Sequence, residues 1–356
     1  MRAEEAEKKR AKGKKGNGRA SARGSMDSYH YGMTVKQPEN QNGSSDGAEK
    51  ENAGGSRKKK ILLTVAILII VIAAGITFYL SRTDEQANIT EDYGREDDYH
   101  GDLRNEELKV YFLDVGQGDC ILVSAGEHHL LIDAGGEDYG TRVWKFLQDK
   151  GITELDYCIG SHFDADHIGG MDVVLQKFKC KQVMLPDYVK DTRAYDNLFN
   201  VIESKRLKVV SPEPGEKYTL GGAEFTIISP STGTHEEEND YSIGIILRNG
   251  DNAFVFTGDA TMQSEEQMMN LDINLKADVL KAAHHGSSYS TGSDFLEAVS
   301  PKYIVVSCGK DNDYGHPHRS FLKRAEEAGC QILRTDERGN VTFISDGRNI
   351  ELRYDR

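Results

Sequence analysis

The sequence predicts an α/β domain of packed helices and strands at residues 108–353, preceded by a disordered basic arm and one transmembrane helix. Three observations carry that reading. Beyond residue 107, short apolar runs ending in glycine turns alternate with stretches of helical periodicity. Residues 61–80 form an unbroken uncharged stretch, and the net charge changes sign across it.

The arm comes first. Residues 1–60 hold 15 Lys and Arg against 8 Asp and Glu, a net charge of +7, with almost no apolar run. A stretch such as Glu39-Asn-Gln-Asn-Gly-Ser-Ser-Asp46 buries too little apolar surface to offset the entropy of ordering it, so disorder is expected. The whole chain sums to −14, which leaves −21 for everything after residue 60.

As a helix, ILLTVAILIIVIAAGITFYL at 61–80 would span about 30 Å, the thickness of a bilayer's hydrocarbon core. Arg57-Lys-Lys-Lys60 precedes it, and Asp84, Glu85, Glu91 and Asp92 follow. The positive-inside rule then puts the arm in the cytoplasm and the C-terminal domain outside a single-pass cell-membrane anchor. The basic clusters at 8–19 and 57–60 are expected to contact anionic lipid, with a nucleic-acid tail as the sharper alternative. A cleaved signal peptide fits less well, because its leader is short and its apolar stretch runs to only about 7–15 residues. A buried helix of a soluble domain would lack any neighbouring apolar segment to cover it. Residues 81–107 are acidic and polar and read as a juxtamembrane linker.

The elements of the domain follow in order. Strands are expected at 109–115, 120–123 and 129–134, the first two split by Gly116-Gln-Gly118 and the third closing on Gly135-Gly136. Val143, Phe146 and Leu147 share one face of a helix at 141–150, and a strand at 155–159 runs into Ser161-His162. Further strands are expected near 181–185, 207–210, 224–228, 243–248, 253–257, 277–281, 303–307, 330–334 and 340–345, with helices near 262–270 and 318–328. Cys120, Cys158, Cys180, Cys308 and Cys330 are odd in number and form no CxxC pair, so free thiols are expected in a domain large enough to rely on its core.

The chemistry concentrates in loops that leave apolar strands. His162-Phe-Asp164-Ala-Asp166-His167-Ile-Gly-Gly170 offers four possible ligands within six residues. An extended turn sends alternate side chains to one side, so His162, Asp164 and Asp166 converge while His167 opens the next element. An ordinary acidic loop is the bland alternative, but it rarely has histidines bracketing its carboxylates. Val255-Phe-Thr-Gly-Asp259 is a strand ending in Gly-Asp, a weak signal alone. Adjacent His284 and His285 follow the strand at 277–281, and Tyr314-Gly-His316-Pro-His318 is a third histidine loop before a helix.

With these residues the chain resembles the metallo-beta-lactamase superfamily, and within it the extracytoplasmic hydrolase domain of the ComEC/Rec2 competence proteins. The resemblance covers essentially 108–345. It rests on Phe112-Leu-Asp-Val-Gly-Gln-Gly-Asp119, Leu131-Ile-Asp-Ala-Gly-Gly136, Ser161-His-Phe-Asp-Ala-Asp-His-Ile-Gly-Gly170, Glu238-Asn-Asp-Tyr-Ser242, Thr257-Gly-Asp259, Ala283-His-His-Gly-Ser287 and Asn312-Asp-Tyr-Gly-His-Pro-His318. It implies an αββα sandwich with two divalent metal ions at one edge of the paired sheets. By that resemblance His162, Asp164 and His285 hold one ion, Asp166, His167 and His316 hold the other, and Asp259 bridges them. The commoner family pattern has His where Asp164 stands and another His between the second and third motifs; His285 is expected to compensate. Zn2+ is the default for such ligands and Mn2+ the alternative.

Asp166 and Asp259 are expected to orient the attacking water, and His284 to act as a donor or substrate contact, its role interchangeable with that of His285. Asp133 is placed under the site, as a support for a ligand histidine or as a packed Asp. Ser287, Asn239 and Tyr314 are candidates to bind a substrate oxygen. His128, His129 and His235 read as structural or solvated, and His318 as bordering the following helix.

Paired metals suit a phosphate diester, since they activate water and neutralise its oxygens. The leading expectation is an extracytoplasmic phosphodiesterase or nuclease acting on DNA or a cell-envelope polymer. A teichoic-acid or phosphocholine esterase comes next, beta-lactam hydrolysis is weaker, and an inactive membrane-anchored scaffold is the non-enzymatic alternative. Only one span is read from the sequence, where the ComEC resemblance implies a multi-helix channel, so a part in DNA transport is not expected. The acidic distal region has no Lys/Arg stripe, which argues against tight nucleic-acid binding. No obligate protein partner is evident.

Overall fold

The computed structural model describes residues 107–356. The expected arm, the span and most of the linker, at 1–106, lie outside the described residues. Among the described residues, no helix is long and apolar enough to cross a membrane.

The chain builds two sheets in succession and then returns to the first. Strands β1 (Leu108–Phe112), β2 (Ile121–Ala125) and β3 (His128–Ile132) form an antiparallel meander. Helix α1 (Gly140–Asp149) leads to β4 (Glu154–Ile159). The short α2 (Ala165–Ile168) and α3 (Met171–Lys177) lead to β5 (Lys179–Met184), and α4 (Arg193–Lys205) leads to β6 (Val209–Val210). Each of these crossovers joins parallel strands.

The second sheet repeats the plan. Strands β7 (Lys217–Leu220), β8 (Ala223–Ser229), β9 (Gly244–Asn249) and β10 (Asn252–Phe256) are antiparallel. Helices α5 (Met262–Met269), α6 (Ser293–Val299) and α7 (Arg319–Glu327) then link the parallel strands β11 (Val279–Lys281), β12 (Tyr303–Val306) and β13 (Gln331–Arg334). After the single turn α8 (Thr335–Arg338), β14 (Val341–Ser345) and β15 (Ile350–Tyr354) rejoin the first sheet. The orders are β15-β14-β1-β2-β3-β4-β5-β6 and β13-β12-β11-β10-β9-β8-β7.

Strand alternation assigns every apolar side chain to a layer. In β1, Leu108, Val110 and Phe112 point between the sheets, where they join Phe225, Phe254, Phe256 and Phe343 in one buried cluster. The rings of Phe112, Phe256 and Phe343 meet at centroid distances of 5.9 and 6.0 Å. The opposite residues, such as Leu122 and Leu131, pack under α1, α3 and α4 with Val143, Leu147, Val174 and Leu198. A third cluster lies between the second sheet and its helices, with Val255, Leu280, Ile304 and Phe321. Three apolar cores between four layers make an αββα sandwich. All five cysteines are free thiols.

Candidate metal centre

Parallel strands create the site. Polar loops leave the carboxyl ends of β3, β4, β10, β11 and β12, the edge where open α/β sheets commonly place ligands. Glycines let these loops pass close together. At Gly118, with φ +134°, a Cβ would meet the Asp166 carbonyl at 2.2 Å; at Gly258, with φ +53°, it would press on Ser161 at 2.9 Å.

Asp133 leaves β3 with φ 58° and is fully buried. Its Oδ1 accepts from the Ser161 N–H at 2.7 Å, and its Oδ2 accepts from Ser161 Oγ at 2.7 Å and from His167 Nδ1 at 2.8 Å. That last bond leaves Nε2 of His167 directed into the site, 3.2 Å from Asp259 Oδ1, without hydrogen-bond alignment. His162 is buried beside it with ring centroids 4.2 Å apart, and its Nε2 lies 3.7 Å from Asp164 Oδ2 and 3.9 Å from Asp259 Oδ2. Asp259 is fixed from behind, its N–H donating to Ser242 Oγ at 3.1 Å.

His285 sits in the left-handed region with φ 54° and donates from Nδ1 to the Ser307 carbonyl at 2.9 Å. Its Nε2 thereby points to Asp166 Oδ2 at 3.3 Å and Asp259 Oδ2 at 3.5 Å. His285, expected with His162 and Asp164, thus faces the same Asp259 oxygen as His162 and also approaches Asp166. His316 has its ring 6.1 Å from His285 and 5.4 Å from His284, and its Nδ1 is buried without a hydrogen-bond partner. Asn312 brackets its backbone, accepting from the His316 N–H at 3.0 Å and donating to its carbonyl at 2.6 Å.

His284 faces the mouth. Asn239 Nδ2 lies 3.3 Å from its Nδ1, and its Nε2 is 3.7 Å from Asp259 Oδ2. Tyr314, 66% exposed, stacks on His316 at 5.6 Å. Ser287 is buried, its Oγ accepting from the Tyr289 N–H. Away from the site, His128 and His129 open β3 against Asp156 and Ser124. His235 packs edge-on to Tyr241 at 4.7 Å, and His318 precedes α7 with Nδ1 accepting from the Ser288 N–H.

The sequence reading missed three members. Asp119 and Lys281 form a fully buried ion pair of 2.9 Å beneath His285. Lys190 reaches both Asp164 and Glu238. Asp119 stood in the quoted Gly-Asp motif, and the charged Lys281 inside an apolar strand was the signal that could have exposed the pair.

The electrostatics bind these groups to one another. Burial opposes charge on His167, but Asp259 and Asp133 outweigh it and hold the imidazole well above its usual value. The same contest, won by Asp259 and Asp119, raises His285 to about 9. Asp259 is likewise buried against ionisation, yet His167 and His285 keep it well below the carboxylate range. Burial lowers His284, and it pushes His316 down to about 4 with help from His285 and His284.

This donor set fits divalent cations. The Nε2 atoms of His162, His167 and His285 and the Oδ1 of Asp259 are buried without hydrogen-bond partners, an arrangement that is costly unless something else satisfies them. Asp119, His167, Asp259 and His285 each bring a ligand atom within 4.8 Å of the others. A matching family model, the metallo-beta-lactamase superfamily, covers residues 113–310.

The chain belongs to the metallo-beta-lactamase superfamily.

Among its relatives, ComE operon protein 3 of Bacillus subtilis is 30% identical over 257 residues, covering 67% of this chain and 33% of that protein. Competence protein ComA of Neisseria gonorrhoeae is 31% identical over 242 residues, covering 67% and 32%. The chain thus spans about a third of the length of these relatives. A solved metallo-beta-lactamase fold protein, YhfI from Bacillus subtilis, is 12% identical with a TM-score of 0.45, over 67% of this chain and 100% of that one. This superfamily member therefore pairs a metal-dependent hydrolase fold with a candidate metal cluster at the sheet edge.

Proposed function

We propose that the protein is a phosphodiesterase or nuclease dependent on two divalent ions, Zn2+ or Mn2+, acting outside a membrane to which its N-terminal region anchors it. The observation that carries this reading is the convergence of three unpartnered buried imidazole nitrogens on the Asp259 carboxylate, at a mouth that also presents Lys190 and His284. His162, Asp164 and Asp259 would hold one ion, and Asp166, His167, His285 and Asp259 the other. His316 is buried beside His284 and His285 with its Nδ1 unpartnered, and it could complete the second set. Bound ions would supply hydroxide near neutral pH and neutralise charge on the attacked group.

The protein's own residues do the rest. Asp133 fixes the His167 tautomer, and the Ser307 carbonyl fixes that of His285, so both rings offer Nε2. Asp166 and Asp259 carry carboxylate oxygens that orient a nucleophilic water. His284 Nε2, at the partly exposed edge, is placed to donate to a substrate or leaving-group oxygen. Lys190 brings a cation to the same mouth for an anionic oxygen.

A choline-phosphate esterase is the second reading. Tyr289 is 74% exposed and Tyr314 66%, and residues 107–356 carry 26 Lys and Arg against 41 Asp and Glu. Aromatic faces on an acidic surface suit a quaternary ammonium better than a polyanion.

The test is hydrolysis of bis-p-nitrophenyl phosphate and p-nitrophenyl phosphorylcholine by the detergent-solubilised full-length protein. Metal-dependent turnover lost by ~100-fold or more in Asp259→Ala is expected, as for removal of a principal electrostatic group. Preference for the choline ester would favour the second reading. Absence of turnover on any diester by folded, metal-loaded protein would sink both.

A further inference from the structure

Lys281 is completely buried, the only lysine so placed among the described residues. Along β11, Val279 packs between the sheets and Leu280 under the outer helices, so alternation returns Lys281 to the space between the sheets. There its Nζ donates to the Ala282 carbonyl at 2.8 Å and meets Asp119 Oδ2 at 2.9 Å. Asp119 comes from the opposite sheet, in the loop between β1 and β2. Its N–H donates to the Asp166 carbonyl at 3.2 Å, and its carbonyl accepts from the Gly135 N–H at 2.8 Å. Its Oδ1 lies 3.4 Å from His285 Nδ1 and has no hydrogen-bond partner.

A buried ion pair of this kind is rarely more stabilising than apolar residues of the same volume, so its place at the top of a phenylalanine-rich core calls for another role. We propose that the Asp119–Lys281 pair positions the metal centre. Asp119 places its charge on the Nδ1 side of His285, beside the Ser307 carbonyl that accepts from Nδ1, and so supports the orientation that turns Nε2 to Asp166 and Asp259, while Lys281 anchors and neutralises Asp119 across the two sheets. Neither residue touches substrate, so both act through His285.

The inference rests on reading the cluster as a metal centre and is independent of substrate class. Its test is the Zn2+ affinity of the full-length protein, measured by competition with a chromophoric chelator, alongside denaturant unfolding of the metal-free form. Asp119→Asn and Lys281→Met should each weaken Zn2+ binding about 10–100-fold, the range for groups that support a ligand histidine. Each leaves a buried charge unmatched, so each should also lower stability. The double variant removes both charges and should recover stability while its affinity stays at least 10-fold low. Double-variant affinity equal to wild type would reduce the pair to a structural contact and overturn the proposal. Should the double variant not fold, folded Asp119→Asn decides by the same comparison. Wild-type protein that binds neither Zn2+ nor Mn2+ would instead overturn the metal reading itself, and this proposal with it.

Discussion

Asp164 is held by Lys190 on one oxygen and faces His162 at 3.7 Å with the other. Lys190 thus places a positive charge at the point where a bound cation would sit, and a cation on Asp164 would free the ammonium for an anionic substrate oxygen. Lys190→Met should therefore raise KM for bis-p-nitrophenyl phosphate ~10-fold with little change in kcat, as loss of a charge-assisted bond worth about 1.5 kcal/mol implies. Steady-state kinetics with metal content read on the same sample checks it; an unchanged KM would remove Lys190 from the substrate site. The adjacent histidines separate by the same logic. His285→Ala should lower metal content by about one ion per chain, because its buried Nε2 faces two carboxylates. His284→Ala should keep both ions and lose turnover, since its ring lies at the mouth and only approaches Asp259. Equal metal loss in both variants would show that the pair acts as one. Most of this cluster was legible in the sequence because ligands spaced within one loop, as in 162–167, announce themselves. The direction in which each of the adjacent histidines points was not legible. It depends on the left-handed backbone at His284 and His285 and on the Ser307 carbonyl, brought in from β12.

Elements followed the same division. Strands with clean apolar runs, such as β4, β10 and β12, and the helix α1 with its apolar stripe lie close to where the sequence puts them. Helices α3, α4, α6 and α8 and strands β7 and β15 lie outside the elements expected from the sequence. Helix α4 sets Ala194, Leu198 and Ile202 at helical spacing on the first sheet, with Tyr195 and Phe199 beside them, so its amphipathic signal is present in the sequence. Strand β15 is a short edge strand that sets Ile350 and Leu352 against the core and Glu351 and Arg353 outward, paired with β14. One helix makes a testable connection to the site loop. Glu265 of α5 accepts from the N–H groups of Thr291 and Gly292, and burial pushes its carboxyl up to about 7. The folded protein therefore binds this proton more tightly than the unfolded chain does. Its contribution is fully present below the unfolded value near 4.5 and is lost as pH rises through about 7, an effect of a few kcal/mol at ~1.4 kcal/mol per pH unit. Denaturant midpoints between pH 5 and 8 should fall in the wild type. Glu265→Gln, less stable throughout for want of one acceptor, should lack that component of the slope; parallel pH curves would refute the assignment.

At the scale of the whole domain, the sandwich brings loops from both sheets to one edge, and the cluster they form is unbalanced without cations. Asp133, Asp164, Asp166 and Asp259 crowd one site, and the metal-free state manages by protonating His167 and His285. Divalent ions would displace those protons, so binding should release protons and bind both sheets' loops together. Ligation to the native state alone stabilises it by mass action, about 2.7 kcal/mol at 100 times Kd. For a domain of this size that corresponds to a Tm increase of roughly 5–10 °C. Scanning calorimetry of the full-length protein with excess Zn2+ or Mn2+ should show the increase, and chelator should reverse it. Asp259→Ala should abolish it, because Asp259 lies within 4 Å of His162, His167 and His285 and belongs to both halves of the cluster. A metal-induced rise that survives in Asp259→Ala would place the stabilising ion elsewhere on the acidic surface, and the shared edge would lose its claim to be the centre.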